Sequence, residues 1–464
     1  MDPGQFHAQR AARSLHWYHP ACEAWLTCRA EAGQMNNWVG WSANSDSASG
    51  GSRTGYAGTW EPWLAALDAS NPPFYRWFAG GLTNAAFNEL DRHVLSGHGR
   101  ETAYYVVSEV GSRQEVCRQA LLLDAAVASH VLHEAPFNCA SGDRVLIFLP
   151  NDVQQLVWVE ACKRTGLVYS CTAAGLKANV IAGRVVDLQA RLILTWPGAE
   201  WVEVVTEALQ DFALLAEAHC FLSANLGSQY GADVRRVVTE LSSDGLAVSL
   251  SSICAAVSKL IPGHPLNEID MQQACALGRK VVSAVVESGG IGNRGSDVLD
   301  AGKVFAKTRR QVGGELWELS SYPDAWIAKL WSLPGACPLP VEANVPMFVM
   351  YTSGSTGRPK GIVHCHGGYL SGLLESMQLV FEARPDRDVM LVVANPGWIT
   401  GQSYMIAGPL ASRIPVVLMQ GSPVSPSIVR FAEVISEYGV TIFKAGSTFV
   451  RSVMAQPDAA SLLK

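Results

Sequence analysis

The stretch that most constrains this chain is residues 351–361, which read Tyr-Thr-Ser-Gly-Ser-Thr-Gly-Arg-Pro-Lys-Gly. Four apolar residues at 347–350 precede it, and two more at 362–363 follow it. A short, continuous apolar run is typical of a buried strand. The stretch is therefore predicted to be a loop between two strands, rich in hydroxyl groups and glycine, with one lysine near its end.

The composition of this loop suits the binding of a polyphosphate. Glycines at 354, 357 and 361 allow positive φ and let backbone N–H groups converge on an anion. Hydroxyl side chains add short donors, and Lys360 adds a point charge. The predicted phosphate contacts are Thr352, Ser353, Gly354, Ser355, Thr356, Gly357 and Lys360.

Two alternatives to a polyphosphate loop are weaker. The G-x-x-x-x-G-K-[ST] pattern is absent, since no Lys-Ser or Lys-Thr pair follows Gly354 at the required offset. This disfavours an unrelated nucleotide hydrolase. A flexible serine–glycine connection is the usual meaning of such a composition, but here the strand, the hydroxyl–glycine run and the lysine occur together and in order.

Composition disfavours several other classes of protein. The chain has 464 residues, 48% of them hydrophobic, which is enough for a large core and two or more domains. A net charge of −6 gives no indication of binding to nucleic acid or to an anionic membrane. The eleven cysteines form no C-x-x-C pair, so neither a zinc site nor a redox pair is predicted. No run of about 18 apolar residues occurs, so no membrane-spanning helix is expected. A cytoplasmic location is expected, with an organelle left open.

The chain divides into four predicted parts. Residues 1–66 form an N-terminal arm that contains six tryptophans. Strand and helix patterns alternate through 67–211 and again through 340–464. This alternation predicts an α/β fold with layered, mostly parallel sheets flanked by helices. Residues 212–339 show helical patterns and are interpreted as an insertion.

Local patterns predict individual helices within these parts. An apolar stripe at helical spacing predicts a helix over 114–133. Asn151 is a candidate N-cap for a helix that ends near Thr165. Further helices are predicted at 369–381 and 425–438.

A second candidate site follows a strand predicted at 388–393. Asn395, Pro396 and Gly397 form a turn that places the next residues at the carboxyl edge of a sheet, where α/β proteins bind ligands. A buried aromatic residue at an ordinary turn is the alternative when this segment is taken alone. The residues predicted to line the ligand provide an apolar wall, a hydroxyl group and room for close approach: Trp398, Ile399, Thr400 and Gly401.

Two other polar patterns are interpreted as structural. His364 and His366 share a face only on a regular strand, and no carboxylate or third histidine lies near them in sequence. No metal site is therefore predicted. The run Asp91-Arg92-His93 is interpreted as a local cluster of ion pairs and hydrogen bonds that fixes the N-terminal segment.

Several segments resemble the AMP-forming adenylating enzymes, a family that includes acyl-CoA synthetases, luciferases and peptide-synthetase adenylation domains. Residues 351–361 resemble the family's phosphate-binding signature. The W-F-x-G-G-x-x-N and N-x-x-D-R-H patterns within 77–93, and G-W-x-T-G-x-S-Y at 397–404, are similar to the acetyl- and propionyl-CoA synthetase branch. The sequence at 397–406 and 441–446 is most similar to the ligase portion of propionyl-CoA synthase. That similarity implies fusion to, or contact with, downstream catalytic domains.

The resemblance implies a fold, a reaction and a set of ligands. The implied fold is the large N-terminal domain of adenylate-forming enzymes, truncated before its end. A small carboxylate (acetate, propionate or 3-hydroxypropionate) attacks the α-phosphate of ATP bound with Mg²⁺, which gives an acyl-adenylate and pyrophosphate. Coenzyme A then displaces AMP. Lys360 and Thr356 are the implied catalytic residues, and Trp398 and its neighbours surround the acyl group.

The family pattern is incomplete in this sequence. Neither the Y/W-x-x-T-E segment nor the T-G-D aspartate of the family is present. Residues 196–199 lack the arginines that the family uses nearby for the nucleotide of coenzyme A. An incomplete synthetase that binds a nucleotide or a partner without turnover is therefore the alternative function.

Overall fold

The fold is described from a computed structural model of the chain. The structure describes residues 65–72, 74–134, 137–196, 305–314, 322–353 and 359–456, together with single positions between 200 and 208 and at 316, 319 and 461. The predicted N-terminal arm lies outside the described residues up to Leu64, and so does most of the predicted insertion.

The described residues form short β-strands, numbered in chain order. They are β1 (Ala65–Asp68), β2 (Arg76–Ala79), β3 (Leu82–Thr83), β4 (Thr102–Val107), β5 (Arg113–Cys117), β6 (Arg144–Phe148), β7 (Val168–Cys171), β8 (Leu192–Thr195), β9 (Val341–Glu342), β10 (Pro346–Ser353), β11 (Pro359–Cys365), β12 (Met390–Val393), β13 (Val416–Met419) and β14 (Ile442–Ala445).

The principal helices connect and cover these strands. They are α1 (Arg118–His133), α2 (Val153–Thr165), α3 (Ala178–Leu188), α4 (Pro323–Trp331), α5 (His366–Leu379), α6 (Arg430–Glu437) and α7 (Ser447–Met454). Further helical turns are Phe87–Asp91, Val94–His98 and the continuous run Ile399–Gly401, Gln402–Ala407 and Gly408–Ala411. Residues 305–314 are also helical. Within the described ranges, no helix combines the length and the apolar character that crossing a membrane requires.

Ten strands form two five-stranded sheets of similar design. The first sheet has the order β11-β10-β7-β6-β8, and the second has the order β14-β12-β13-β4-β5. In each sheet four strands are parallel and one edge strand is antiparallel, namely β11 in the first and β5 in the second. The predicted α/β class with mostly parallel sheets is confirmed.

Alternate residues of each strand face different helical layers. In the first sheet, Leu146 and Phe148 pack with α3, whereas Val145 and Ile147 face a central core. In the second sheet, Val417 packs with residues of α6. Helices α1 and α2 pack on each other and contribute to the central core. The fold therefore has five layers, with a sheet on each side of the central helices and α3 and α6 outside.

Both sheets take strands from both predicted α/β parts. Strands β6, β7 and β8 come from the first part and join β10 and β11 from the second, while β4 and β5 join β12, β13 and β14. Helix α4, near the end of the predicted insertion, places Trp326, Ile327 and Leu330 in the central core. The two parts are therefore halves of one core, and the described end of the predicted insertion belongs to that core as well.

Several predicted helix boundaries are wrong, including those of the helix predicted at 369–381, which runs from His366 to Leu379. The helix predicted from residue 114 begins at Arg118, because 113–117 form the edge strand β5, whose first three residues are exposed. The N-cap of α2 is Asp152 rather than Asn151, since the Asp152 carboxylate accepts the N–H of Gln154 at 3.0 Å. The helix predicted from residue 425 begins at Arg430, because the residues before it form turns.

A buried ion pair fixes the N-terminal segment to the core. Two nitrogens of Arg164 each donate to Asp91, both at 2.6 Å, and the indole N–H of Trp331 donates to the same carboxylate at 2.9 Å. Asp91 and Arg164 are fully buried. Such a pair contributes to stability only when its geometry satisfies both charges, as this bidentate contact does. The prediction of a local cluster is therefore wrong, because Arg164 lies 73 residues from Asp91, although the pair does fix the N-terminal segment.

A second buried group holds one positive charge between two carboxyl groups. The Lys163 ammonium donates to Glu89 at 2.6 Å and to Glu160 at 2.7 Å, and none of the three side chains is more than 1% exposed. Burial, and next the proximity of Glu160, raise the pKa of Glu89 well above its ordinary value. The raised pKa favours the protonated form of Glu89, an arrangement in which one ammonium faces one carboxylate.

This protonation predicts a pH-dependent effect of Glu89→Gln. The folded protein keeps the Glu89 proton at pH values where the unfolded chain has lost it, so the contribution of Glu89 to wild-type stability falls as pH rises above about 4.5. The glutamine variant does not have this dependence. Denaturant unfolding between pH 5 and 8 should show the variant gaining up to about 1.4 kcal/mol per pH unit relative to wild type.

The exposed Glu134 provides the matched control. Glu134→Gln should leave the difference from wild type constant over the same pH range. A Glu89→Gln difference that is flat, or that falls as pH rises, would contradict the protonated assignment.

Candidate active site

The predicted phosphate stretch connects two paired strands, as the sequence indicates, but residues 351–353 and 359–361 belong to these strands rather than to the predicted loop. Strands β10 and β11 form an antiparallel hairpin at the edge of the first sheet, with Thr352 opposite Lys360. Strand β10 also runs parallel to β7, with Phe348 beside Tyr169. The stretch therefore leaves the sheet at the carboxyl end of β10, on the edge where α/β sheets bind ligands.

Five residues of this stretch, 354–358, lie outside the described residues. The phosphate contacts assigned to Gly354, Ser355, Thr356 and Gly357 therefore stay predictions. Of the other predicted contacts, Thr352 and Lys360 are described with their side chains, and the backbone of Ser353 ends β10.

Thr352 and Lys360 share one face of the hairpin. Residues directly opposite across an antiparallel pair lie on the same side, and every second residue of a strand returns to that side. Phe348 lies on this side, with its ring centroid 4.5 Å from that of His364 and 5.0 Å from that of Tyr369. Phe348 belongs to the central core, so this face is directed toward the second sheet, and Lys360 is exposed there.

The predicted positive φ at Gly361 is wrong. This glycine lies inside β11 opposite Tyr351 and is not among the residues with positive φ. A Cβ at this position would lie 2.9 Å from Val349 Cγ1 and 3.4 Å from Tyr351 Cε1. Glycine is therefore needed here because the neighbouring side chains leave no space for a larger residue.

The second candidate segment is a tight turn followed by helical residues. The side-chain oxygen of Asn395 accepts the N–H of Gly397 at 2.7 Å, and its backbone carbonyl accepts the N–H of Trp398 at 2.9 Å. Helical residues begin at Ile399. The predicted turn after a strand of the sheet is confirmed, and it lies at the carboxyl end of β12.

This turn lies against the end of β7 in the other sheet. A Cβ on Gly397 would lie only 2.6 Å from the backbone nitrogen of Ala173. Strands β7 and β10 pair at Tyr169 and Phe348, and continuing that register by four residues sets Ala173 level with Thr352. The turn and the hairpin therefore meet at the same edge.

The two sheets also meet at a second point on this edge. Gln420, which follows β13, donates to the carboxylate of Asp152 at 2.8 Å, and Asp152 caps α2 just after β6. The carboxyl ends of strands from both sheets therefore border one region, which contains both segments predicted to bind substrate.

The predicted apolar wall is accessible from this region. Trp398 is 56% exposed and Ile399 is 39% exposed, so both apolar side chains are available to contact a ligand. Thr400 is partly buried. The alternative of a buried aromatic residue at a turn does not fit Trp398, because more than half of the side chain is exposed.

Close packing, which the sequence did not indicate, requires a glycine at position 401. It is buried, and a Cβ there would lie 2.2 Å from the carbonyl oxygen of Asn395 and 2.6 Å from the nitrogen of Pro396. The turn itself therefore requires a glycine. Its predicted role in letting a ligand approach stays a prediction.

Hydrogen bonds between buried side chains hold the turn against the first sheet, and no local sequence pattern predicted them. The Tyr169 hydroxyl donates to the side-chain oxygen of Gln402 at 2.9 Å, and the amide of Gln402 donates to the carbonyl of Pro396 at 2.8 Å. The hydroxyl groups of Tyr369 and Ser403 lie 3.0 Å apart. The G-W-x-T-G-x-S-Y pattern includes Gln402 and Ser403, but their partners on β7 and α5 are distant in sequence.

The two histidines after the loop are structural. The N–H of Ala85 donates to Nδ1 of His366 at 3.1 Å, and burial, assisted by nearby Lys163, lowers the His366 pKa to about 3. Burial also lowers the pKa of His364, whose ring stacks on Phe348. Among the residues that the structure describes, no group of three or more His, Cys, Asp or Glu side chains could hold a metal ion.

Comparison with known proteins identifies the family. The profile of the family described as "AMP-binding enzyme" matches residues 92–464. The chain belongs to the AMP-binding enzyme family. It is also similar to acetyl-coenzyme A synthetases of three bacteria. Identity is 30% over 397 residues for Mycobacterium tuberculosis, 30% over 404 for Streptomyces avermitilis and 31% over 412 for Thiobacillus denitrificans.

These alignments cover most of this chain and about half of each relative. They cover 85%, 86% and 86% of the chain and 48%, 49% and 50% of the respective synthetases. The resemblance to AMP-binding acyl-CoA synthetases is thus confirmed for the family, and both candidate segments lie inside the range matched by the AMP-binding profile. The similarity to propionyl-CoA synthase stays a prediction.

The close packing at Gly401 predicts a large effect of Gly401→Ala. Backbone atoms of Asn395 and Pro396 block the new methyl group, so the turn must shift. The free energy of unfolding, measured with denaturant, should fall by about 2 kcal/mol or more. Gly314→Ala is the control, because a Cβ added to that helical glycine would meet no atom within 4 Å. Equal stability of the two variants would contradict the packing described for the turn.

Proposed function

We propose that this chain carries the ATP-phosphate and acyl-binding part of an AMP-forming short-chain acyl-CoA synthetase. In the first step, a carboxylate oxygen attacks the α-phosphorus of ATP, which forms an acyl-adenylate and releases pyrophosphate. In the second step, the thiolate of coenzyme A attacks the acyl carbonyl and releases AMP. The proposed acids are acetate, propionate and 3-hydroxypropionate.

One observation carries this proposal. The hairpin bearing Thr352 and Lys360 and the turn bearing Trp398 meet at one edge, where Gly397 lies against Ala173. A polyphosphate donor and a small apolar acid have to be bound side by side for this reaction, and the two segments have the matching chemistry. The similarity to acetyl-coenzyme A synthetases supports the same reaction class.

The first step depends on position and charge rather than on a protein nucleophile. Lys360, exposed on the hairpin, is proposed to neutralise the phosphates that leave as pyrophosphate, and Thr352 adds a hydroxyl donor on the same face. Thr356 and the glycines of 354–358 are proposed to complete the phosphate contacts. Trp398 and Ile399 are proposed to contact the carbon chain of the acid and keep water from the reacting carboxylate.

Mg²⁺ and coenzyme A enter this proposal for different reasons. Mg²⁺ accompanies ATP through phosphate oxygens, and no step depends on a metal site made by the described residues. Coenzyme A appears in the names of the similar synthetases, and its use by this chain is part of the proposal.

A second candidate function is nucleotide or partner binding without turnover. The observation that favours it is that residues 196–199 lack arginine, whereas the family uses arginines near this position for the nucleotide of coenzyme A. AMP formation from ATP, assayed with acetate, propionate and 3-hydroxypropionate in turn, separates the two functions. Acid-dependent AMP formation supports the synthetase, whereas ATP binding without AMP formation supports the second function.

The role proposed for Lys360 predicts the effect of Lys360→Ala. Loss of the ammonium removes a charge that stabilises the leaving pyrophosphate, so ATP–pyrophosphate exchange should fall by about ten-fold or more. If the chain binds ATP without turnover, the Kd for Mg-ATP should rise instead. Lys307→Ala, at an exposed lysine in the helical residues 305–314, is the control. Lys360→Ala activity and affinity equal to those of the control would refute the phosphate role.

A further inference from the structure

The side chain just before the predicted phosphate contacts is held by helix α3. The Tyr351 hydroxyl donates to the carboxylate of Asp187 at 2.6 Å. The Arg184 guanidinium carbon lies 5.2 Å from the centroid of the Tyr351 ring, a cation–π arrangement. Arg184 and Asp187 are three residues apart on α3, so they lie on the same face of the helix.

The opposite strand is shaped to admit this tyrosine. Gly361 faces Tyr351 across the hairpin, and a Cβ there would lie 3.4 Å from Tyr351 Cε1 and 3.5 Å from the Asp187 oxygen. The absent side chain lets the ring lie across β11 and reach the helix. The three side chains and this glycine are called the Tyr351 clamp below.

The clamp joins the buried side chain of Tyr351 to the exposed carboxylate of Asp187. Tyr351 is 6% exposed, and burial, followed by the bond to Asp187, raises the pKa of its hydroxyl. The hydroxyl therefore stays protonated and donates to a carboxylate, a class of hydrogen bond stronger than one between neutral groups. Burial also lowers the pKa of Arg184, yet its cation remains over the ring.

The clamp lies on the face of the hairpin opposite the candidate site. Tyr351 belongs to the α3 side of the first sheet, because Asp187 and Arg184 are there. Thr352, the next residue, and its cross-strand partner Lys360 belong to the other side, because successive residues of a strand alternate. A hairpin at the edge of a sheet has a neighbouring strand on one side only, so a contact to a helix limits its twist and rotation.

We propose that Tyr351, with Asp187 and Arg184, is a positioning group that fixes the hairpin so that Thr352 and Lys360 face the ATP phosphates. The clamp touches no substrate and acts through the strand. This inference rests on the proposed function, since it concerns the same phosphate site. The sequence of residues 351–361 does not by itself indicate the contact between Tyr351 and α3.

Tyr351→Phe tests the clamp by removing one oxygen atom and leaving the ring in place. The KM for ATP in pyrophosphate exchange should rise by about ten-fold, while the KM for the carboxylate should not change. Asp187→Ala should have the same effect, and Asp187→Asn should restore ATP binding because its amide oxygen can accept the tyrosine hydroxyl. Together, Tyr351→Phe and Asp187→Ala should raise the KM no further than either alone, because they break one bond.

Tyr104→Phe separates positioning from stability. Tyr104 lies on β4 of the second sheet, and its hydroxyl donates to the carbonyl of Met405 at 2.8 Å. Removing it should lower the thermal midpoint about as much as Tyr351→Phe does, and leave the KM for ATP unchanged. If the chain binds ATP without turnover, the Kd for Mg-ATP replaces the KM throughout.

The outcomes distinguish this inference from the proposed function. A normal KM for ATP in Tyr351→Phe, with Lys360→Ala impaired, would overturn the clamp and leave the proposed function standing. Equal loss of ATP and carboxylate affinity in Tyr351→Phe would also overturn it, because that pattern indicates general damage. No effect of either substitution would refute both proposals.

Discussion

The buried hydrogen bond from Tyr169 to Gln402 joins the two sheets at the place where the candidate site lies. Tyr169 is on β7, beside Phe348 of the hairpin strand, and Gln402 follows the turn and also bonds the carbonyl of Pro396. Both Tyr169 and Gln402 are nearly inaccessible to water, so breaking the bond leaves an unsatisfied polar atom in the core. This cost keeps the turn and the hairpin at a fixed separation, although they belong to different sheets.

The path of the chain makes this contact depend on the whole fold. The chain contributes β4 and β5 to the second sheet, then β6 to β11 mainly to the first, and returns to the second with β12 to β14. A site between the sheets therefore assembles only after strands far apart in sequence have paired. The buried pair of Asp91 and Arg164 adds to this coupling, because it ties the segment before β4 to α2 in the central layer.

The sequence predicted the local features well and the contacts between sheets poorly. The hairpin and the turn at Asn395 follow from apolar runs and turn residues, which act over a few positions. The edge strand β5 was not predicted, because its exposed residues resemble those of a helix surface. Glycine is needed at 361 and 401 because a side chain there would meet Tyr351 and Asn395, respectively, and such contacts are visible only in the packed structure. Tyr169 and Asp187 had no local signal, since their partners lie 233 and 164 residues away.

The central claim is that the hairpin and the Trp398 turn bind one substrate complex together. Hydrogen–deuterium exchange, with and without Mg-ATP and a short-chain acid, tests it directly. The account predicts slower exchange in peptides that contain Lys360 and in peptides that contain Trp398, while peptides from α6, on the outer layer, are unchanged. Slower exchange confined to other regions, or in neither segment at saturating ATP, would contradict the account.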